Sequence, residues 1–197
     1  MRGLILTFCL LGIGTVSANT STLPTAIFAG GCFWCMESDF EKLDGVVDVV
    51  SGFTGGTHPQ PTYQGAHDGH YEAVLVTYDP DKIDYQGLLD HYWVNIDPFD
   101  DRGQFCDKGH EYRAAIFVGD DTESVAAEAS KQAVAEEFSD QTVVTQILPR
   151  AEFFPIAGKE SYHQDYYKNY SVRYQFYRYR CGRDARLAAI WGERVTH

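Results

Sequence analysis

The chain has 197 residues, of which 44% are apolar and 22% charged, and its formal net charge is −12. This composition is typical of a folded globular domain and excludes an intrinsically disordered chain. Because nucleic-acid binding requires an extended basic surface, the acidic balance also argues against a nucleic-acid partner.

Residues 1–18 have the pattern of a secretory signal peptide. Arg2 gives a positive start, a thirteen-residue apolar stretch follows, and small residues precede a cleavage point after Ala18. We therefore predict a linker over residues 19–25 and a single domain over residues 26–197. The apolar stretch is short for a membrane span, so we expect an exported protein, periplasmic or secreted, without stable membrane association. A retained N-terminal anchor is the alternative.

Apolar periodicity predicts strands and helices that alternate along the chain. In order, we predict a strand over 26–29, a helix over 33–43, strands over 46–53 and 71–78, a helix over 85–96, a strand over 112–118, a helix over 122–138 and a strand over 143–148. This order indicates one α+β domain, with helices packed on a mixed sheet in a ferredoxin-like α/β sandwich core, and with its second and third strands antiparallel. After Pro149 we expect a long, irregular, aromatic-rich segment that ends in a short helix over 183–191.

Cys32 and Cys35 stand three residues apart where the first predicted strand passes through two glycines into the first helix. A helix N-terminus favours an anion, so we expect a lowered pKa and a reactive thiolate at Cys32. Phe33 and Trp34, between the two thiols, would form an apolar wall beside it. A cysteine pair this close in sequence closes only a tiny loop, which favours a redox role over a structural one.

Three other side chains are candidates to assist such a thiol. Glu72 shares a strand face with Val74 and Val76, where loss of water would raise its pKa and make it a proton donor. An edge glutamate in water is the alternative. Tyr112, at the start of a predicted strand, and Tyr63, in a long polar loop, are candidate hydroxyl donors, although each on its own is more often a core or surface residue.

Taken in order, these segments resemble the A-type peptide methionine sulfoxide reductases over nearly the whole length after residue 18. The first motif is quite specific, and the ordered series makes a chance match implausible. The matching stretches are GGCFW at 30–34, SGFTGG at 51–56, PTY at 61–63, GHYEAV at 69–74, YDP at 78–80, DP at 97–98, QFCD at 104–107, EYR at 111–113 and HQDY at 163–166.

The resemblance implies reduction of the S-epimer of methionine sulfoxide, free or in oxidised proteins, and hence protein repair under oxidative stress. It also implies residue roles, position by position: Cys32 as the nucleophile, Glu72 as the acid that protonates the sulfoxide oxygen, Tyr63 and Tyr112 as hydroxyls that hold this oxygen, Phe33 and Trp34 as the wall that receives the S-methyl group, and Asp107 as a polar support. We expect a monomer with no bound cofactor or metal, which takes its electrons from a thioredoxin-like protein.

The chain departs from the family pattern at Cys35, where glycine is frequent, and around Cys181, which does not lie in a glycine-rich tail. We favour Cys35, one helical turn from Cys32, as the residue that resolves the Cys32 sulfenic acid. Cys181 is the second choice, followed by Cys106 or an external thiol.

Two rival interpretations use the same cysteines. A thiol–disulfide oxidoreductase built on Cys32 and Cys35 would not need the donors Glu72, Tyr63 and Tyr112. A non-enzymatic metal-binding module would need a second closely spaced Cys/His pair, which the sequence does not contain.

Overall fold

A computed structural model describes residues 22–195, and the predicted signal peptide lies outside this range. The described chain contains these elements: β1 Thr25–Gly30, α1 Phe33–Phe40, β2 Val46–Thr54, β3 Tyr71–Tyr78, α2 Tyr85–Val94, β4 Gly103–Gln104, β5 Asp107–Lys108, β6 Ala114–Val118, α3 Asp121–Glu137, β7 Gln146–Pro149, β8 Phe153–Pro155, α4 Tyr166–Asn169, α5 Ser171–Cys181 and α6 Arg183–Trp191. Short 3-10 turns span His110–Tyr112, Gly158–His163 and Gly192–Arg194. Within residues 22–195, the helices are too short or too polar to cross a bilayer.

Six strands form the main sheet, in the order β7-β6-β1-β3-β2-β8. Strands β6 and β7 run parallel, and the other neighbouring pairs run antiparallel, so the prediction of a mixed sheet is confirmed. The predicted antiparallel pairing of the second and third strands is also confirmed, with Val50 of β2 opposite Leu75 of β3. All eight predicted elements occur, and β4 and β5 add a small hairpin between α2 and β6.

The main core lies between one face of this sheet and helices α1 and α2. Phe28 of β1 stacks at 5.0 Å on Phe40 of α1 and at 5.1 Å on Tyr92 of α2. Val74 and Val76 of β3 join the same buried cluster. Each large apolar side chain buried in this way stabilises the fold by roughly 1.5–3 kcal/mol.

Helix α2 begins where the sequence predicts, because its N-terminus has a side-chain cap. The Asp84 carboxylate accepts the Gly87 N–H at 2.8 Å and so satisfies one of the donors that a helix start leaves free. At the other end of the helix, the Trp93 indole donates to the Ser130 hydroxyl of α3 at 2.9 Å, which joins the two helices through a buried hydrogen bond.

Helix α1 differs from its predicted pattern because it is covered on two sides. Glu37, which was expected to face outward, is only 1% exposed. Its carboxylate accepts hydrogen bonds from the Ser51 hydroxyl at 3.1 Å and from the Asp165 N–H at 2.9 Å. Burial raises the pKa of Glu37 to about 7, although both hydrogen bonds oppose that rise.

The prediction of a long irregular segment after Pro149 is wrong. This part of the chain contains β8 and three helices, of which α6 matches the predicted short helix over 183–191. Helix α5 is not predicted by apolar periodicity, because its buried face carries Tyr174 and Arg178, while Phe176 and Tyr179 are exposed. Apolar periodicity therefore points away from the side of α5 that packs on the protein.

Arg183, the first residue of α6, is only 1% exposed and connects this C-terminal segment to the core. Its guanidinium donates to the Gly30 carbonyl at the end of β1 at 3.2 Å and to the Asn95 carbonyl after α2 at 2.7 Å. It also lies 3.6 Å from the Asp39 carboxylate of α1. A buried charge needs such partners, because an unpaired one is costly.

Candidate active site

The site begins at the junction of β1 and α1. Gly31 has a φ of +84°, and a Cβ there would lie 2.6 Å from the Cβ of Gln104, so only glycine fits. Cys32 follows as the residue that caps α1, and its carbonyl accepts the Cys35 N–H at 3.0 Å. The structure thus places Cys32 at the strand-to-helix turn, as predicted.

Glu72 of β3 contacts the start of this helix. Its carboxyl accepts the Phe33 N–H at 3.1 Å, and the residue is 3% exposed. Burial raises the pKa of Glu72 to about 8, although the Phe33 hydrogen bond opposes the rise. The desolvated carboxyl predicted from the strand pattern is therefore confirmed, and at neutral pH Glu72 holds a proton that it can donate.

The Cys32 and Cys35 thiols are buried, hydrogen-bonded neighbours. Burial raises the pKa of Cys32, and Cys35 and Glu72 add to the rise. The hydrogen bond with Cys32 lowers the pKa of Cys35, and the Arg183 guanidinium also lowers it against the effect of burial. The expected lowered pKa at Cys32 is wrong, because the loss of water on burial outweighs the favourable position at the helix start.

The reactive groups open into a small cavity of about 50 Å³. It is lined by Cys32, Phe33, Trp34, Tyr63, Glu72, Asp107, Tyr112 and Tyr177. All but the last of these were site candidates from the sequence, so the structure brings seven predicted residues together. A larger cavity, of about 620 Å³, lies beside β2 and is not lined by any cysteine.

Tyr63 and Tyr112 reach the cavity from two loops. The Tyr63 N–H donates to the Glu160 carboxylate at 2.8 Å, and this bond holds the long polar loop over the site. Tyr112 lies in a 3-10 turn rather than at the start of a strand, because its N–H binds the Gly109 carbonyl at 3.3 Å. Burial raises the pKa of both phenols, so they remain protonated hydroxyl donors.

The apolar wall is a stack of aromatic rings. Trp34 lies on Tyr166 with ring centres 3.9 Å apart and planes 10° apart. Its indole N–H donates to Nδ1 of His163 at 3.0 Å, which places any proton of the neutral imidazole on Nε2. Burial lowers the pKa of His163 and keeps this acceptor neutral. Phe33 and Tyr63 stack at 6.0 Å on the same side of the cavity.

Tyr177 of α5 is the lining residue that sequence reasoning missed. Its hydroxyl donates to the Asp107 carboxylate, and its side chain lines the same cavity as Cys32. The available signal was its position four residues before Cys181, which puts both side chains on one face of a helix. Assigning that segment as irregular concealed this spacing. Glu160 was missed for a different reason, because only the folded loop reveals its contact.

The other two cysteines of residues 22–195, Cys106 and Cys181, form a disulfide with Cα atoms 4.9 Å apart. Cys32 and Cys35 are free. Of the proposed resolving residues, Cys35 is thus hydrogen-bonded to Cys32, whereas Cys106 and Cys181 are bonded to each other.

Two groups of side chains in residues 22–195 have the spacing of metal ligands, and neither includes Cys32 or Cys35. The first contains the disulfide-bonded Cys106 and Cys181, whose sulfurs are not thiolates. The second contains Glu41 and Asp165, and the Lys168 ammonium already lies 2.5 Å from the former and 2.6 Å from the latter. Both groups are therefore occupied by bonds within the chain.

Comparison with known proteins agrees with this geometry. The family model described as peptide methionine sulfoxide reductase matches residues 24–195. The peptide methionine sulfoxide reductase MsrA 2 of Caulobacter vibrioides is 48% identical, with 98% of this chain and 100% of the relative covered. MsrA of Bacillus subtilis is 46% identical over 85% of this chain and 95% of the relative. Methionine sulfoxide reductase A of Corynebacterium diphtheriae has a similar structure, with a TM-score of 0.69, 29% identity and coverage of 79% of this chain and 78% of that chain.

A buried cysteine, a protonated carboxyl and an aromatic wall around one small cavity define an oxidoreductase that acts on a neutral, partly apolar sulfur compound. The chain belongs to the A-type peptide methionine sulfoxide reductases, and the family predicted from its motifs is confirmed.

The protonation state of Glu72 can be tested by replacing it with its uncharged counterpart. Because proton donation contributes 10²–10⁴-fold in such steps, Glu72→Gln should slow methionine release about 100-fold. The wild-type rate should fall as the pH rises through the Glu72 pKa of about 8, and this fall should be absent from the variant. Single-turnover rates between pH 6 and pH 9 measure both effects, and Glu128→Gln on the exposed face of α3 is the matched control.

The pH dependence of the free energy of unfolding gives a second test of the protonation state of Glu72. The folded-state pKa of Glu72 lies above the ordinary value of about 4.3, so its carboxyl form stabilises the fold at low pH. That stabilisation is lost between pH 4 and pH 8, and Glu72→Gln should therefore unfold at increasingly higher urea than wild type across this range. A variant with the wild-type rate and the wild-type stability profile would exclude Glu72 as the proton donor.

Proposed function

We propose that Cys32 reduces the S-epimer of methionine sulfoxide, free or within oxidised proteins, with Glu72 as the proton donor. The convergence of a protonated carboxyl and a thiol on one small cavity is the observation that carries this proposal. A thiol–disulfide exchanger needs neither a proton donor nor hydroxyls beside its cysteine. The presence of Glu72, Tyr63 and Tyr112 therefore favours sulfoxide reduction over that rival.

The two sides of the cavity match the two sides of a sulfoxide. Its oxygen carries negative charge and accepts hydrogen bonds, which Tyr63, Tyr112 and Glu72 can donate. Its methyl group is apolar and fits against Phe33 and Trp34. Because a chiral sulfoxide places its oxygen and its methyl group on defined sides, donors facing an aromatic wall select one epimer.

The first step transfers oxygen from the substrate to Cys32. The Cys32 sulfur attacks the sulfoxide sulfur while Glu72 gives its proton to the oxygen, and the thiol proton passes to the hydrogen-bonded Cys35 sulfur. The S–O bond of the substrate then breaks, and the hydroxyl passes to the Cys32 sulfur as the new bond between the two sulfurs breaks. Methionine leaves, and Cys32 becomes a sulfenic acid. The substrate gains two electrons, and Cys32 loses two.

The second step forms a disulfide, with Cys35 as the resolving residue. The Cys35 sulfur attacks the Cys32 sulfur, and the hydroxyl leaves with a proton as water. Cys35 is a neighbour of Cys32 in the folded chain, so this attack needs no large movement. A thioredoxin-like dithiol then supplies two electrons. It would reach Cys32 first, because this residue is 6% exposed and Cys35 is 1% exposed.

The reaction can be tested with pre-reduced protein and the separate S- and R-sulfoxides of a blocked methionine. We expect methionine release from the S-epimer only, because the donors and the aromatic wall fix the orientation. Cys32→Ser should release none, whereas Glu128→Gln should match wild type. If neither epimer reacts while the thiols remain titratable, the disulfide-exchange interpretation becomes the better one.

The resolving role can be tested by trapping the intermediate. After one turnover, wild type should contain a Cys32–Cys35 disulfide, whereas Cys35→Ser should retain a Cys32 sulfenic acid that reacts with dimedone. Peptide mass spectrometry detects both products. Sustained cycling of Cys35→Ser with a thioredoxin-like reductant would assign resolution to another thiol.

We also propose that the protein is exported and that residues 1–18 are removed. The support is the charged, apolar and small-residue pattern of this segment. Expression of the full chain followed by N-terminal sequencing of the exported fraction should give Asn19 as the first residue. An intact Met1 in that fraction would indicate a retained anchor instead.

The finer fold description is likewise a proposal. A ferredoxin-like core is supported by the order β6-β1-β3-β2 and by the packing of α1 and α2 against the same Phe28 ring. The monomeric state, the lack of stable membrane association and the role in repair under oxidative stress stay predictions.

A further inference from the structure

The proposed reaction uses two of the four described cysteines and leaves the Cys106–Cys181 disulfide without a role. This bond joins two parts of the chain that are 75 residues apart and that both contribute to the cavity. Cys106 directly precedes Asp107, and Cys181 follows Tyr177 by one helical turn of α5. The disulfide therefore lies next to the two residues whose side chains meet above Cys32.

The contacts around this bond form a continuous path to the reactive thiol. The two disulfide sulfurs lie 3.7 and 3.8 Å from the Asp107 carboxylate oxygens. The carboxylate accepts the Tyr177 hydroxyl, and Asp107, Tyr177 and Cys32 line the same small cavity. A shift of either Cys106 or Cys181 would move one end of the Tyr177–Asp107 pair relative to the other.

The loop that carries Asp107 is held in an unfavourable conformation. Phe105 has a φ of +53°, a left-handed conformation that is unfavourable for a residue other than glycine. Its ring lies under the Arg183 guanidinium, 4.6 Å from ring centre to guanidinium carbon, and the Cys106 N–H points at the Cys181 sulfur from 3.2 Å. Without the covalent link, the loop would be free to relax to a commoner conformation.

We propose that the Cys106–Cys181 disulfide is a clamp that positions Tyr177 and Asp107 over Cys32, so that the enzyme with this bond closed attacks its substrate faster than the enzyme with it open. The inference rests on the proposed role of Cys32 as nucleophile. Tyr177 lines the cavity of the reacting sulfur, whereas Cys106 and Cys181 are positioning residues that act through it.

The clamp has a chemical consequence for Cys32 as well as a geometric one. Burial raises the pKa of Cys32, and the Tyr177 hydroxyl in the same cavity opposes that rise. Opening the clamp would move this hydroxyl away from Cys32 and shift the ionisation of Cys32 to higher pH. A bond that only stabilised the fold would leave this ionisation unchanged.

The test uses two proteins without residues 1–18, and hence without Cys9, in which Cys32 is the one free thiol. The closed protein is Cys35→Ser isolated without reductant, in which Cys106 and Cys181 remain bonded. The open protein carries Cys106→Ala and Cys181→Ala in addition. Thiol titration and circular dichroism confirm one thiol and a folded chain in each. We expect single-turnover methionine release from the S-sulfoxide to be about tenfold slower in the open protein, as expected for a displaced reacting group.

The second readout is the pH dependence of Cys32 alkylation by iodoacetamide in the same two proteins. The open protein should require higher pH for half-maximal alkylation. Tyr177→Phe in the closed protein should reproduce this shift with the disulfide intact. The matched control is Tyr179→Phe, a side chain on the same helix that is 81% exposed, and it should leave the profile unchanged.

The outcomes separate the clamp from its alternatives. Equal rates and equal alkylation profiles in the open and closed proteins would overturn the proposal and leave the disulfide as a structural link. Reduction of the Cys106–Cys181 disulfide in Cys35→Ser gives a protein with three thiols for a further comparison. This protein should release one methionine per chain at the rate of the open protein. Release of two would show that Cys106 and Cys181 supply electrons, and would also overturn it. Failure of pre-reduced wild type to release methionine from the S-sulfoxide would instead contradict the proposed function.

Discussion

The buried guanidinium of Arg183 is the interaction on which the site most depends. It binds the carbonyls that end β1 and follow α2, lies beside Asp39 of α1, and covers the Phe105 ring of the loop that carries Asp107. Four separate parts of the chain therefore converge on one side chain. Its positive charge also lowers the pKa of Cys35, so the same group that fixes the architecture influences the chemistry. Lysine could not replace it, because a single ammonium lacks the planar fork that reaches several acceptors at once.

Burial acts in two opposite directions within this cavity. It keeps Glu72 protonated, which the reaction needs, and it also keeps Cys32 protonated, which the reaction does not. The structure compensates locally, since Tyr177 stabilises a negative charge on Cys32 and Cys35 can accept its proton. A dry, acid-bearing cavity and a nucleophilic thiol are compatible only because the thiol has hydrogen-bonding neighbours of its own.

Much of the central fold and most of the cavity could be predicted from local sequence. Alternation in β3 placed Glu72 with Val74 and Val76, and the glycines before Cys32 located the start of α1. These signals are local, and the core preserves them. The missed features depend on contacts across the chain. Glu37 is buried because the C-terminal segment around Asp165 packs on α1 in addition to the sheet. The exposed aromatic residues of α5 mark its outer face. Local sequence therefore could not place Tyr177 or the Cys106–Cys181 bond, which depend on how the helices pack together.

Met36 packs at the centre of this arrangement, fully buried and with its sulfur 3.2 Å from the Arg183 guanidinium. The chain contains one other methionine, Met1. An enzyme that works where methionine becomes oxidised is exposed to the same damage as its substrates. Oxidants reach a thioether through solvent, so the core shields the internal methionine of this chain. The protein thus keeps its one internal methionine away from solvent, where the oxidised form of this side chain would arise.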